Sequence, residues 1–253
     1  MPWFDEVIAD PRAGLLNLAT AWRIRHFFRQ DWSVIVDMQC SSRTRNYFSH
    51  FVPLNTRWIG TASGCSDPLP DFTGVNNRDR MVTSAKMAGG VSQSPDMSWL
   101  VNGAAQTDDP AVMINNKQYA VLIPGCSPAK PQKRWPSDRF AAIGNELVSR
   151  GVEIVLVGTG DDRDAINAVL AASPEAIDLC GKTNLAGLAR LLSGAAFVIG
   201  NDTGPMFLAA RTGVPSVMIM GPDTDPTMSA PKGAAVNWLQ GAPISKVSVA
   251  DAI

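Results

Sequence analysis

The sequence predicts an α/β protein whose strands form a parallel sheet. After residue 118, five strand-like apolar runs alternate with four helical segments. The runs are almost continuously apolar, which is typical of parallel strands covered by helices on both faces. Such alternation favours right-handed crossovers and places binding sites at the carboxyl ends of the strands.

The first 118 residues carry a weaker version of this pattern. Strands are predicted at 4–9, 32–38 and 57–59, with a helix at 81–87 and an earlier one that aligns Leu15, Leu18, Trp22 and His26 on one stripe. From residue 60 to residue 118 the apolar periodicity is poor, as in substrate-facing loops and domain connections. We therefore predict two domains, 1–118 and 119–253.

Arg43 and Arg45 follow the strand predicted at 32–38. Two arginines just past a strand end can hold an acidic substrate. They are also compatible with a solvated helix face, which the sequence alone favours.

The second half has clear helix and strand boundaries. Its strands are predicted at 119–123, 153–157, 177–180, 197–199 and 216–220. The first helix begins near Pro136 and ends at Gly151, the second carries Ile166, and the third carries Leu188 and Leu191. This regular succession predicts a doubly wound sheet.

The loop after the strand at 197–199 is the centre of the functional prediction. It reads Asn201-Asp202-Thr203-Gly204, and Pro205 then suits the first position of a short helix that Gly213 ends. The amino terminus of such a helix can hold a phosphate or another anionic oxygen. Alternatively, Asp202 and Thr203 only cap the helix.

Composition limits the function classes. The formal net charge of -1 disfavours a general nucleic-acid binder, because no broad basic excess can neutralise many phosphates. The four cysteines form no C-x-x-C pair and there are two histidines, so a metal site is not expected. Scattered thiols fit a reducing cytosol, and no apolar run approaches the ~20 residues of a membrane span.

Two nucleotide-binding signatures fail on inspection. Gly181-Lys182-Thr183 resembles the end of a P-loop, but Ala176 stands where that motif needs a glycine. Gly158-Thr159-Gly160 has Arg163 in place of the third glycine of a dinucleotide fingerprint. Neither an ATPase nor a dehydrogenase is therefore supported, and the lack of a G-x-S-x-G elbow disfavours a serine hydrolase.

Four loops at one predicted sheet edge remain, at 127–133, 158–162, 181–184 and 201–204. Lys133 and a helix amino terminus would match a diphosphate, and a carboxylate after the second strand of this domain suits ribose hydroxyls. The loop contents therefore suit a sugar nucleotide.

An ordered set of motifs then resembles a known family. P-G-C-S…K-R-W-P, V-L-V-G-T-G-D-D, L-C-G-K-T-N-L-A-G-L-A-R-L-L and G-N-D-T-G-P-M-F-L-A-A are similar to the carboxyl-terminal half of the bacterial heptosyltransferases of glycosyltransferase family 9. The resemblance spans residues 119–231. It implies the GT-B architecture, in which two Rossmann-like domains face each other across a cleft. It also implies inverting transfer of a heptose from ADP-heptose to the lipopolysaccharide inner core, without a cofactor or a required metal. A cytoplasmic enzyme with peripheral contact at the inner membrane is compatible with it.

The resemblance also implies roles for individual residues. It assigns the donor site to Ser127, Lys133, Asp162, Lys182, Thr183, Asp202, Thr203 and Gly204. Lys133 would contact the diphosphate or the sugar, and Lys182 and Thr183 would face the adenine. Asp162 replaces the family's ribose-binding glutamate, so its reach is one methylene shorter. Arg43 and Arg45 would then contact the acceptor.

Two departures bear on catalysis. Phe207 replaces the usual histidine of G-P-M-H. The family's first strand and the G-D loop that supplies its base have no counterpart here, so the resemblance implies an incomplete amino-terminal, acceptor-side domain. Asp37 is the one carboxylate of the first half near a strand end, but it is not at the G-D position. The catalytic residue is therefore unassigned. The alternative function is a sugar-nucleotide-binding protein without transfer, and a third reading is an unrelated doubly wound protein.

Overall fold

The computed structural model describes residues 5–10, 17–91, 96–103, 114 and 118–253. The chain divides into two compact units, Met1–Ser94 and Pro95–Ile253. The sequence-based boundary at 118/119 was drawn where the regular alternation begins, and it stays a prediction.

The first unit contains a short parallel sheet. Its elements are α1 (Leu18–Phe28), β1 (Ile35–Val36), α2 (Ser42–Phe51), β2 (Trp58–Gly60), β3 (Asp67–Pro68) and α3 (Asn77–Met87). The strand order is β1-β2-β3, and β1 pairs only with β2 among the described residues. The helix predicted at 81–87 and the strand predicted at 57–59 correspond to α3 and β2.

Two predictions in this unit need correction. Residues 5–9 form no strand, because Val7 and Ile8 are exposed and no described strand lies beside them. The strand predicted at 32–38 is reduced to β1, with Trp32 and Met38 exposed on either side. Phe4 and Leu15 lie outside the described residues.

The second unit is the larger one. Its elements are α4 (Ser98–Val101), β4 (Tyr119–Ile123), α5 (Ser137–Ser149), β5 (Glu153–Leu156), α6 (Arg163–Ala172), β6 (Ile177–Asp178), α7 (Leu185–Gly194), β7 (Phe197–Asn201), α8 (Gly204–Thr212), β8 (Ser216–Met220), α9 (Pro226–Ser229), β9 (Val236–Gln240) and α10 (Val249–Ala252). The strands form a parallel sheet of order β6-β5-β4-β7-β8-β9. This confirms the predicted α/β class with a parallel sheet.

Helices cover both faces of this sheet. On β4, Ala120 and Leu122 belong to one buried cluster, and Val121 and Ile123 belong to the cluster on the opposite face. The alternation follows from the pleat, which points successive side chains to opposite faces. It also explains the continuous apolar run, because every residue of β4 is buried.

The strand order defines a topological switch point between β4 and β7. From β4 the chain winds outward through β5 and β6, and it then returns to the other side of β4 to form β7, β8 and β9. The loops that leave the carboxyl ends of β4 and β7 therefore diverge, and ligands of open α/β sheets bind in the crevice this creates.

Candidate functional site

Asn201, the last residue of β7, joins the two loops at the switch point. Its side chain is fully buried. The side-chain oxygen accepts a hydrogen bond from the backbone N–H of Trp135 at 2.9 Å, and the amide nitrogen donates to the carbonyl of Pro124 at 2.7 Å. The loop after β4 is therefore fixed against the end of β7 by side-chain bonds that water does not reach.

An ion pair between Lys133 and Asp202 lies beside this anchor. Lys133 ends a 3-10 turn in the loop after β4, and its Nζ donates to Oδ2 of Asp202, which directly follows β7. The two side chains are 15% and 8% exposed. Thr224 donates its hydroxyl to the same carboxylate oxygen at 2.8 Å. The structure thus brings together Lys133 and Asp202, two charged residues that the sequence assigns to the donor site.

A cavity of about 470 Å³ opens along the same sheet edge. Among the predicted donor residues, it is lined by Ser127, Asp162, Thr183 and Thr203. Loops that follow β4, β5, β6 and β7 therefore contribute to one concave surface, as the parallel topology requires. Its volume lies within the usual range of small-molecule sites, roughly 300–1,000 Å³.

Asp162 is buried and partly engaged by its own loop. Its Oδ2 accepts hydrogen bonds from the backbone N–H and the hydroxyl of Thr159, at 2.9 and 3.0 Å. Its Oδ1 lies 3.9 Å from a guanidinium nitrogen of Arg134. A Cβ at Gly125 would lie 2.2 Å from Oδ1 of Asp162, so only glycine permits this close approach. The ribose-binding role of Asp162 stays a prediction.

Thr203 is the N-cap residue of α8, but its side chain makes no capping hydrogen bond. Pro205 occupies the first turn, and Gly213 ends the helix with a φ of 83°, both as the sequence predicts. Apart from its chain neighbours and the backbone of its own helix, a Cβ at Gly204 would meet no atom within 4 Å. The amino terminus of α8 therefore lies in an open position where an anion can approach its positive end.

Four predicted donor residues do not line the cavity, namely Lys133, Lys182, Asp202 and Gly204. Lys182 lies in the loop after β6. Its Nζ donates to the backbone carbonyl of Asp178 at 2.7 Å. The Asp178 carboxylate in turn accepts from Arg163 at 2.6 Å and from the backbone N–H of Cys180 at 2.9 Å. Burial opposes ionisation of Asp178, but these hydrogen bonds outweigh it and lower its pKa. The adenine-facing role of Lys182 stays a prediction.

The residues predicted for the acceptor lie in the first unit. Arg43 and Arg45 both belong to α2. Arg43 donates to the hydroxyl of Tyr47 at 3.1 Å, and this bond raises the pKa of its guanidinium. Arg45 is exposed. Their acceptor role stays a prediction.

Asp37 follows β1 in the same unit and is 5% exposed. Its Oδ1 accepts from the backbone N–H groups of Gln39 and Cys40, at 3.1 and 2.8 Å. Its Oδ2 is buried without a hydrogen-bond partner among the described residues. Leaving a buried carboxylate oxygen without a hydrogen bond costs folding free energy, so such an atom in a folded protein calls for an explanation.

Sequence reasoning missed three residues that shape the site. Asn201 fixes the loops, Thr224 shares the Asp202 carboxylate with Lys133, and Arg134 donates to the carbonyl of Cys126 at 3.1 Å while facing Asp162. The cation pair Lys133-Arg134 was a visible signal for Arg134. Thr224 has no such signal, because its contact depends on the position of β8 beside β7.

Comparison with a family model and with curated proteins identifies a family. The family model described as glycosyltransferase family 9 (heptosyltransferase) matches residues 77–246, about two thirds of the chain. Lipooligosaccharide heptosyltransferase 2 of Haemophilus influenzae is 30% identical over 119 residues, which are 44% of this chain and 34% of that protein. Lipopolysaccharide heptosyltransferase 2 of Salmonella typhimurium is 33% identical over 110 residues, 41% of this chain and 32% of that protein. The match spans about a third of the length of these relatives.

Solved structures share the fold. A glycosyltransferase family 9 protein from Veillonella parvula superposes with a TM-score of 0.74 at 21% identity, covering 94% of this chain and 71% of that chain. The Escherichia coli heptosyltransferase WaaC with ADP gives a TM-score of 0.72 at 19% identity, covering 94% of this chain and 76% of the other. The α/β fold is therefore that of GT-B heptosyltransferases.

Proposed function

The chain belongs to glycosyltransferase family 9, and from this premise we propose that its second unit binds the ADP moiety of an ADP-heptose donor. The heptose would be transferred with inversion to the inner core of lipopolysaccharide. One observation carries the proposal: Asp202 of the nearly buried Lys133–Asp202 pair directly precedes Thr203, which with Pro205 lines the cavity at the open amino terminus of α8.

The donor assignment follows from the charges of this site. A diphosphate offers oxygen atoms to the Lys133 ammonium and to the N–H groups at the start of α8. Thr183 and Asp162, which line the cavity, would contact the nucleoside. Among the solved structures, WaaC carries ADP in one and ADP-2-deoxy-2-fluoro heptose in another, which supports the same ligand class here.

In inverting transfer, an acceptor hydroxyl attacks the anomeric carbon while the bond to the diphosphate breaks. Negative charge then grows on the leaving ADP, and Lys133 with the α8 amino terminus would stabilise that charge. A base must take the hydroxyl proton on the opposite side of the sugar. The donor residues named here lie on the diphosphate side, so the base is a separate group.

The proposal extends to the acceptor and to the location of the enzyme. Arg43 and Arg45 would suit an acidic acceptor, because both are cations on one helix. Among the described residues, no helix is both long and apolar enough to cross a bilayer. A peripheral contact with the inner membrane would bring the enzyme to its acceptor.

The alternative function is donor binding without transfer. Phe207 favours it, because this half-exposed residue of α8 places an apolar ring where the resembled family has a histidine. A donor contact made by that histidine would be absent in this chain.

Calorimetric titration with ADP tests the donor site. Lys133→Ala should weaken ADP binding roughly tenfold or more, because a charge-assisted hydrogen bond is typically worth ~1.5–3 kcal/mol. Lys130→Ala is a matched control, since Lys130 is exposed in the same loop. Wild-type affinity in Lys133→Ala, or equal losses in both variants, would contradict the assignment.

An ADP-release assay separates the two functions. The full chain would be mixed with ADP-heptose, with and without lipopolysaccharide that lacks the inner-core heptose. Release that requires the acceptor supports transfer. ADP binding with no acceptor-dependent release supports the alternative.

A further inference from the structure

The loop between β8 and α9, residues 221–225, contacts the proposed diphosphate site. Thr224 in this loop is 7% exposed. Its hydroxyl donates to Oδ2 of Asp202 at 2.8 Å, and Lys133 donates to the same oxygen. One carboxylate oxygen is thus shared by the Lys133 ammonium and the Thr224 hydroxyl.

The hydroxyl is fixed because β9 holds its loop. The side-chain amide of Gln240 donates to the carbonyls of Gly221 and Thr224, at 3.0 and 2.8 Å. Gly221 also packs against the turn that carries Lys133, since a Cβ there would lie 3.3 Å from the carbonyl oxygen of Gln132. The loop is therefore positioned relative to both members of the ion pair.

We propose that Thr224 is a positioning residue for the donor diphosphate, acting through Asp202 on Lys133. This inference rests on the donor site proposed above. When Lys133 turns to a phosphate oxygen, the nearly buried Asp202 carboxylate loses its cation. Leaving a buried charge uncompensated is costly. The Thr224 hydroxyl stays on that oxygen and reduces the cost, so that Lys133 is available to the ligand.

The inference predicts a specific pattern of ADP affinities. Thr224→Val keeps the shape of the side chain but removes the hydroxyl, and it should weaken ADP binding about tenfold, as expected for one hydrogen bond to a charged group. Thr224→Ser keeps the hydroxyl and should remain within about twofold of wild type. Thr227→Val, an exposed threonine in α9, is the matched control.

A double-mutant cycle separates positioning from general loop packing. In an Asp202→Asn background there is no charge to compensate, so Thr224→Val should change ADP affinity by less than about twofold. In Thr224→Val alone, the affinity for inorganic pyrophosphate should fall by the same factor as the affinity for ADP, because Thr224 acts on the diphosphate part of the site.

Three outcomes would overturn the inference while leaving the donor site in place. Wild-type affinity in Thr224→Val would do so, and so would an equal loss in the Asp202→Asn background, which would indicate loop packing alone. Failure of Thr224→Ser to restore binding is the third. If the wild-type chain binds neither ADP nor pyrophosphate, the donor site itself is wrong and the inference falls with it. If the wild-type chain binds ADP but the cycle shows no coupling between Thr224 and Asp202, the inference is wrong and the donor site stands.

Discussion

Replacing Asn201 with alanine should destabilise the second unit strongly, although the substitution removes only a few atoms. The variant leaves two buried groups without partners, the backbone N–H of Trp135 and the carbonyl of Pro124. Each unsatisfied buried group costs about 1–3 kcal/mol, so the free energy of unfolding should fall by about 2–6 kcal/mol. The loop carrying Lys133 begins at one of these groups, and ADP affinity should therefore fall as well.

Urea unfolding and amide hydrogen exchange measure the two parts of this prediction. Exchange of the backbone amides between residues 124 and 136 should accelerate in Asn201→Ala, because their anchor is lost. The control is Asn237→Ala, an exposed asparagine on β9, which should change stability by less than about 0.5 kcal/mol. If the two variants were equally stable and equally protected, Asn201 would not hold the loops together.

Two further predictions concern other parts of the site. Gly125→Ala should displace the Asp162 carboxylate and weaken ADP binding in calorimetry, since the new Cβ would overlap Asp162; unchanged affinity would show that Asp162 is not needed where it lies. Asp178→Asn should flatten the acid dependence of stability. The pKa of Asp178 is lowered by folding, so its contribution is present above the unfolded value of about 4 and is lost as pH falls through the lower folded value. Urea midpoints between pH 3 and 7 measure this, and parallel curves for variant and wild type would refute it.

The second unit could be predicted in most of its elements because its strands are buried on both faces. The runs that became β4 and β8 contain mainly apolar residues, and Gly151 and Gly213 end their helices as expected. The family inferred from the ordered motifs is confirmed by the family match. β9 was missed because it is an edge strand whose Asn237 and Trp238 are exposed, so it lacks a continuous apolar run.

The site was only partly predictable, and the reason is topological. Sequence patterns identified the loops that hold Lys133 and Asp202, but the pairing of these residues depends on β4 and β7 being neighbours. The contact of Thr224 depends in the same way on β7 and β8. Single-strand patterns say which segments are strands; they do not say which strands lie side by side.

The arrangement of charges also separates donor binding from transfer. Asp202 accepts hydrogen bonds from Lys133 and Thr224, and Asp162 accepts hydrogen bonds from Thr159. Both belong to the proposed diphosphate and nucleoside parts of the site, whereas inversion needs a base on the opposite side of the sugar. Asp37 in the first unit has a buried oxygen without a partner among the described residues, but Oδ1 is held by two backbone amides. Removing that base should therefore lower the rate of transfer without weakening ADP binding, whereas replacing Lys133 should lower both.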